Sequence, residues 1–147
     1  MKNILIIQSL QGDILILKNA ILKNLPASYE SIMWTDSFDH ALDLIPKEGK
    51  FLVITSGIFH DISSVHKGRV KEKVLNQLKT PNILAEMILK INIKTMIYVF
   101  STSVPKNLRF LDGYVMKDLK GVGVGVLLNI ISNFESTQSS AEDTEEK

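Results

Sequence analysis

The chain contains no cysteine among its 147 residues. Disulfides, thiol nucleophiles and thiolate-held metals are therefore excluded together. Long apolar runs are missing too, and none reaches the length needed to cross a bilayer. The N-terminus has one lysine, then a short apolar run broken by Gln8, Ser9, Gln11 and Gly12, with no small-residue cleavage signal. A leader peptide is not expected. An excess of either charge is lacking as well: 17 basic residues face 16 acidic ones, for a net charge of +1. That balance does not point to nucleic acid. These absences make the cytoplasm the expected compartment, with no membrane role.

What is present suits one domain of ordinary size. Apolar residues make up 45% of the chain, enough to sustain a core without metal or disulfide staples. The charge is unevenly spread. Residues 135–147 hold five acids and one lysine, which leaves a net +5 on the rest. The expected division is a domain over residues 1–134 and an acidic, disordered tail over 135–147.

Short apolar runs alternate with helical periodicity. Ile4 to Ile7 form a continuous apolar run, as in a strand buried on both faces. Leu10 to Asp13 turn the chain, with Asp13 available to cap a helix from about Ile14 to Leu25 that Pro26 stops. Tyr29 to Trp34 and Phe51 to Thr55 are the next strands. Between them a short helix from about Phe38 follows a cap at Asp36 or Ser37. The long polar stretch 57–80 allows one helix around Val70 to Leu78. A clearer helix spans Pro81 to Ile91, with proline suited to its first turn. Thr95 to Phe100 and Tyr114 to Met116 complete five strands, and a last helix runs from about Val122 to Phe134. Strands alternating with helices give an α/β three-layer sandwich with a parallel sheet. The commonest order at this size is 2-1-3-4-5, and ligands then sit beyond the carboxyl ends of the strands.

At those ends the segment Asp112-Gly113-Tyr114-Val115-Met116-Lys117 resembles the last strand of a response-regulator receiver domain, with its aromatic and its lysine. The resemblance covers the order of elements from Lys2 to Phe134 and is close in residues only near Gly113 to Lys117. It implies a flavodoxin-like fold with a site for Mg²⁺ and a phosphorylated aspartate. Two acids should follow strand one, where the chain has Gln8 and Ser9. The phosphoryl acceptor position falls on Ser56, or on Thr55 with a register slip of one. The hydroxyl position after strand four falls on Ser101, and Tyr114 and Lys117 match the aromatic and the lysine. The span between Ser101 and Tyr114 is too short for a full fourth helix, and residues 57–80 form an insertion after strand three.

The substitutions bear on chemistry. Mg²⁺ favours hard oxygen ligands, largely carboxylates, and an amide and a hydroxyl offer it no charge. A serine hydroxyl forms no acyl phosphate, and no neighbouring base activates it. Lys117, lacking aspartates to pair with, would lie in a near-neutral pocket. The expected protein is a degenerate receiver, or pseudoreceiver: not an enzyme, without cofactor or metal. It would act as a phosphorylation-independent protein-interaction module in signalling, with Tyr114 and Lys117 on the partner face. The partner is an unidentified protein, a second copy of the chain included.

Other patterns lead elsewhere. Lys117 with the amides at Gly121 and Gly123 could form an anion site, making the chain a small-molecule or nucleotide-binding α/β domain. Gly121-Val122-Gly123-Val124-Gly125 is not a dinucleotide fingerprint, because it follows the last strand and its spacing is wrong. Glycines that allow close packing at a helix start account for it better. Loop Gln8 to Asp13 makes a poor flavin phosphate cradle. His60, Asp61 and His66 fit no metal-ligand spacing. The run Lys67 to Lys73 lacks interleaved aromatics and suits a solvated helix face. An active receiver rebuilt on Asp13, Asp36 or Asp61 is the remaining alternative.

Overall fold

A computed structural model describes residues 2–8, 11–56, 81–101, 109–117 and 122–145. The elements are β1 (Ile4–Ile7), α1 (Gln11–Asn24), α2 (Pro26–Tyr29), β2 (Ile32–Thr35), α3 (Phe38–Leu44), β3 (Phe51–Thr55), α4 (Pro81–Ile91), β4 (Thr95–Ser101), β5 (Gly113–Met116) and α5 (Val122–Glu145). The strands form one sheet in the order β2-β1-β3-β4-β5, and all four pairings are parallel. The expected flavodoxin-like α/β sandwich is the observed one. The 57–80 insertion, with its proposed helix, His60, Asp61, His66 and the basic run, lies outside the described residues. So do Ser9, Gly121 and most of the span set for a shortened fourth helix.

Alternation along the strands builds two cores. Ile4, Ile6, Leu52, Ile54, Phe100 and Val115 pack against Leu17 and Ile21 of α1 and Leu127, Ile131 and Phe134 of α5. Leu5, Ile7, Val53 and Ile97 face the other way, onto Ala41 of α3 and Leu84, Ala85 and Ile88 of α4. All four residues of β1 are fully buried, which is why that strand reads as an unbroken apolar run. Each such side chain contributes roughly 1.5–3 kcal/mol relative to an exposed one.

Local chemistry sets several boundaries. Pro26 does more than stop α1. It opens a one-turn helix, because its fixed φ suits a first helical position. Tyr29, expected at the head of a strand, therefore lies in α2, and β2 starts at Ile32. Ser37 caps α3 by accepting from the His40 amide at 3.2 Å. The start of α1 differs from expectation: the helix begins at Gln11, so Asp13 lies in its first turn rather than ahead of it. An acid there faces the positive end of the helix dipole.

The last helix also differs. It runs past Phe134 to Glu145, through the segment assigned to the tail. Polar residues need no apolar face to satisfy backbone i to i−4 bonds, so low hydrophobicity did not end this helix. Glu135 is tied back, since Ser28 Oγ donates to its Oε2 at 3.0 Å.

The glycines before and inside α5 play separate parts. Gly123 is buried, and a Cβ there would collide with the backbone carbonyl of Met116 and lie 3.2 Å from the Phe100 ring. Gly125 is exposed, with nothing within 4 Å of such a Cβ. Gly123 lets α5 lie against the end of β5, and Gly125 only loosens the helix. Gly125→Ala should raise stability by about 1 kcal/mol through helix propensity. Gly123→Ala should lower it by roughly 1–3 kcal/mol or more through overpacking against backbone. Urea unfolding of the two variants checks both signs.

Candidate functional site

The carboxyl ends of β1, β3, β4 and β5 converge on a small polar cluster. Gln8 follows β1 and is fully buried, with its amide bonded to the Thr35 carbonyl at 3.1 Å. Thr55 ends β3 fully buried, and its hydroxyl donates to the Ser56 carbonyl at 3.2 Å. Ser56 is buried too, with its N–H on the Ile7 carbonyl at 2.8 Å. Both residues thus lie buried at the carboxyl end of β3.

Lys117 extends from the end of β5. Its backbone N–H donates to the Ser101 carbonyl at 2.9 Å. Tyr114 Oη donates to the same carbonyl, also at 2.9 Å. Tyr114 is half-buried and pinned to β4. The Lys117 ammonium passes 5.1 Å from the Phe100 ring centroid, a cation–π contact. It reaches across the ends of β4 and β3 to Asp13 Oδ2 at 2.5 Å, with Gln8 Oε1 at a long 3.5 Å. The two ion-pair side chains are 22% and 19% exposed.

This pair corrects one expectation. Lys117 does not stand in a neutral pocket awaiting an anion, because α1 starts early enough to bring Asp13 to it. Gly123, named as an anion-binding amide, packs its α-carbon against the Met116 carbonyl. The anion-site reading loses its cation to an internal carboxylate. In the sequence Asp13 reads only as a helix cap or a substitute acid. The missed cue is that the apolar face Ile14, Leu17 and Ile21 sets how α1 docks, and one further turn places Asp13 over the strand ends. Gln8 Nε2 is buried without a partner among the described residues.

The fit to Mg²⁺ can be judged from the donors. The ion takes hard oxygens in near-octahedral array. Here the group offers a carboxamide, a serine hydroxyl and one carboxylate already held by an ammonium. No cluster of three or more His, Asp or Glu side chains occurs among the described residues. The donor set does not fit the ion.

Solved structures resemble this fold. The BeF3-activated DrrB receiver domain aligns with a TM-score of 0.60 at 12% identity, over 92% of this chain and 99% of that one. The signal receiver domain of an HD domain-containing protein from Pseudomonas fluorescens Pf-5 aligns at 0.61 and 15%, over 95% and 98%. The response regulator TrrA from Thermotoga maritima, in complex with Mg²⁺-BeF, aligns at 0.54 and 16%, over 89% and 99%. The chain has the receiver fold. No protein-family model matches it, and no curated protein does. No helix among the described residues is long and apolar enough to cross a membrane.

The receiver-like edge is thus closed by its own ion pair. A double-mutant cycle with Asp13→Asn and Lys117→Met, read by urea unfolding, should give a coupling of about 1–2 kcal/mol. That lies between an exposed pair and a fully desolvated charge-assisted bond. The coupling should shrink only slightly in high salt, since the pair is mostly shielded from solvent.

Proposed function

We infer that the chain is a phosphorylation-independent pseudoreceiver, a protein-interaction module in signalling or regulation rather than an enzyme. One observation carries this reading. The lysine that matches the phosphoryl-contacting lysine of receivers is already paired with Asp13, while Ser56 stands at the acceptor position. Capturing a phosphoryl group would require breaking that pair, with no aspartate at Ser56 to carry the phosphoryl.

The pair holds Lys117 in one place without a modification. The Tyr114 hydroxyl is likewise tied down at Ser101. The module is therefore fixed in one state, and its regulation comes from the partner. Exposed apolar side chains support a protein partner: Leu15, Ile16 and Leu22 on α1, with Val122 and Val126 on α5.

Thermal unfolding with and without Mg²⁺ and beryllofluoride tests the reading. A ligand of the native state stabilises it by mass action, by about 2.7 kcal/mol at a hundredfold excess over Kd, and so raises the melting point. No shift is expected. A shift that requires both Mg²⁺ and beryllofluoride would sink the proposal and return Asp13 to the role of a metal-binding acid.

A further inference from the structure

The opposite edge of the sheet carries a second feature, remote from Lys117. β5 pairs only with Tyr98 to Ser101, so the first residues of β4 run beyond it. Asp112 closes that step: its Oδ2 accepts from the Ile97 amide at 2.6 Å, and its own N–H donates to the Ile97 carbonyl at 2.7 Å. Gly113 lies opposite Tyr98, and a Cβ at Gly113 would come within 2.9 Å of the Tyr98 ring. The ring therefore occupies the space a side chain at Gly113 would take, at the start of β5.

Above β4, α5 stands off. The space between them is a half-open groove of about 500 Å³, lined by Met96 and Tyr98 from β4 and Ile130, Asn133 and Phe134 from α5. Lys50 and Lys94 complete the lining. They immediately precede β3 and β4, so both lie at the N-terminal edge of the sheet. The volume falls within the range of small-molecule sites, roughly 300–1,000 Å³. The lining is mostly apolar with a few polar groups, which is the usual composition of such sites.

We propose that this groove binds an apolar-bodied carboxylate, with its chain on Met96, Tyr98, Ile130 and Phe134 and its head between Lys50 and Lys94. Methionine adapts to a flexible chain. The lysines orient the ligand, and the apolar floor supplies most of the affinity. The two lysines offset the charge that Asp112 brings to the Tyr98 side of the groove. Asp112 is engaged by the Ile97 amide, and Glu135 by Ser28 on the α2 side. Burial first, and then the Asp112 carboxylate, push the Tyr98 phenol above its ordinary value, so it stays uncharged at neutral pH. The site is independent of the pseudoreceiver reading, because it uses none of the residues at the carboxyl edge.

Calorimetric titration of the full chain with dodecanoate below its micellar range tests this, with backbone amide shifts recorded alongside. One equivalent should bind, with shift changes centred on residues 50, 94–98 and 130–134. Lys50→Ala with Lys94→Ala should weaken binding about three- to tenfold, the range expected for two exposed charge contacts. Dodecanol should lose a similar factor against the unchanged chain. Met96→Glu, at a position 36% exposed that tolerates charge, should abolish binding without unfolding the protein. Equal affinity for dodecanol, indifference to the lysine changes, or shifts centred elsewhere would overturn the proposal. So would sedimentation showing that a second copy covers Met96 and Tyr98.

Discussion

A parallel sheet whose inner strand β1 is buried on both faces forces nearly everything else. Ile4 to Ile7 have no exposed surface, so helices must cover both sides of β1. Alternate side chains then recruit different partners: Ile4 and Ile6 take α1 and α5, and Leu5 and Ile7 take α3 and α4. Parallel pairing also requires a crossover between strands; α1, α3 and α4 lie in such crossovers, while α5 follows the last strand. All strands therefore end on the same edge, and the polar residues following them are brought together without any direct selection for contact in sequence.

At that edge Gln8 follows β1 fully buried, and Ser56 follows β3 buried as well. Without a partner, Lys117 would be an uncompensated charge in a poorly solvated place, which is costly. Asp13 removes that cost from the first turn of α1. The carboxylate that balances the lysine is thereby itself engaged.

Much of the fold was legible in the residues. Period-two and period-3.6 patterns are local, and handedness rules narrowed the topology to the order later observed. The boundaries that went astray have local causes of another kind. Tyr29 looked like a strand residue because aromatics favour strands, yet Pro26 starts a helical turn that includes it. The end of α5 was set at Phe134 because the apolar pattern stops there, whereas backbone hydrogen bonding does not depend on that pattern. The reading of Gly123 as a packing glycine was available from its place after the last strand, and the Met116 carbonyl supplies the reason.

By itself the sequence determined which segments are strands, which faces are apolar and which residue types follow the strands. Those properties depend on residue type and short spacing. Only the tertiary structure decided what Lys117 does, because its partner Asp13 lies 104 residues away and reaches it across the ends of two intervening strands. The groove under α5 belongs to the same class. Lys50, Met96 and Phe134 show no common pattern along the chain, and they meet only because β5 is shorter than β4 and α5 spans the gap. Electrostatic pairing and cavity shape depend on distance in space, which local pattern does not encode.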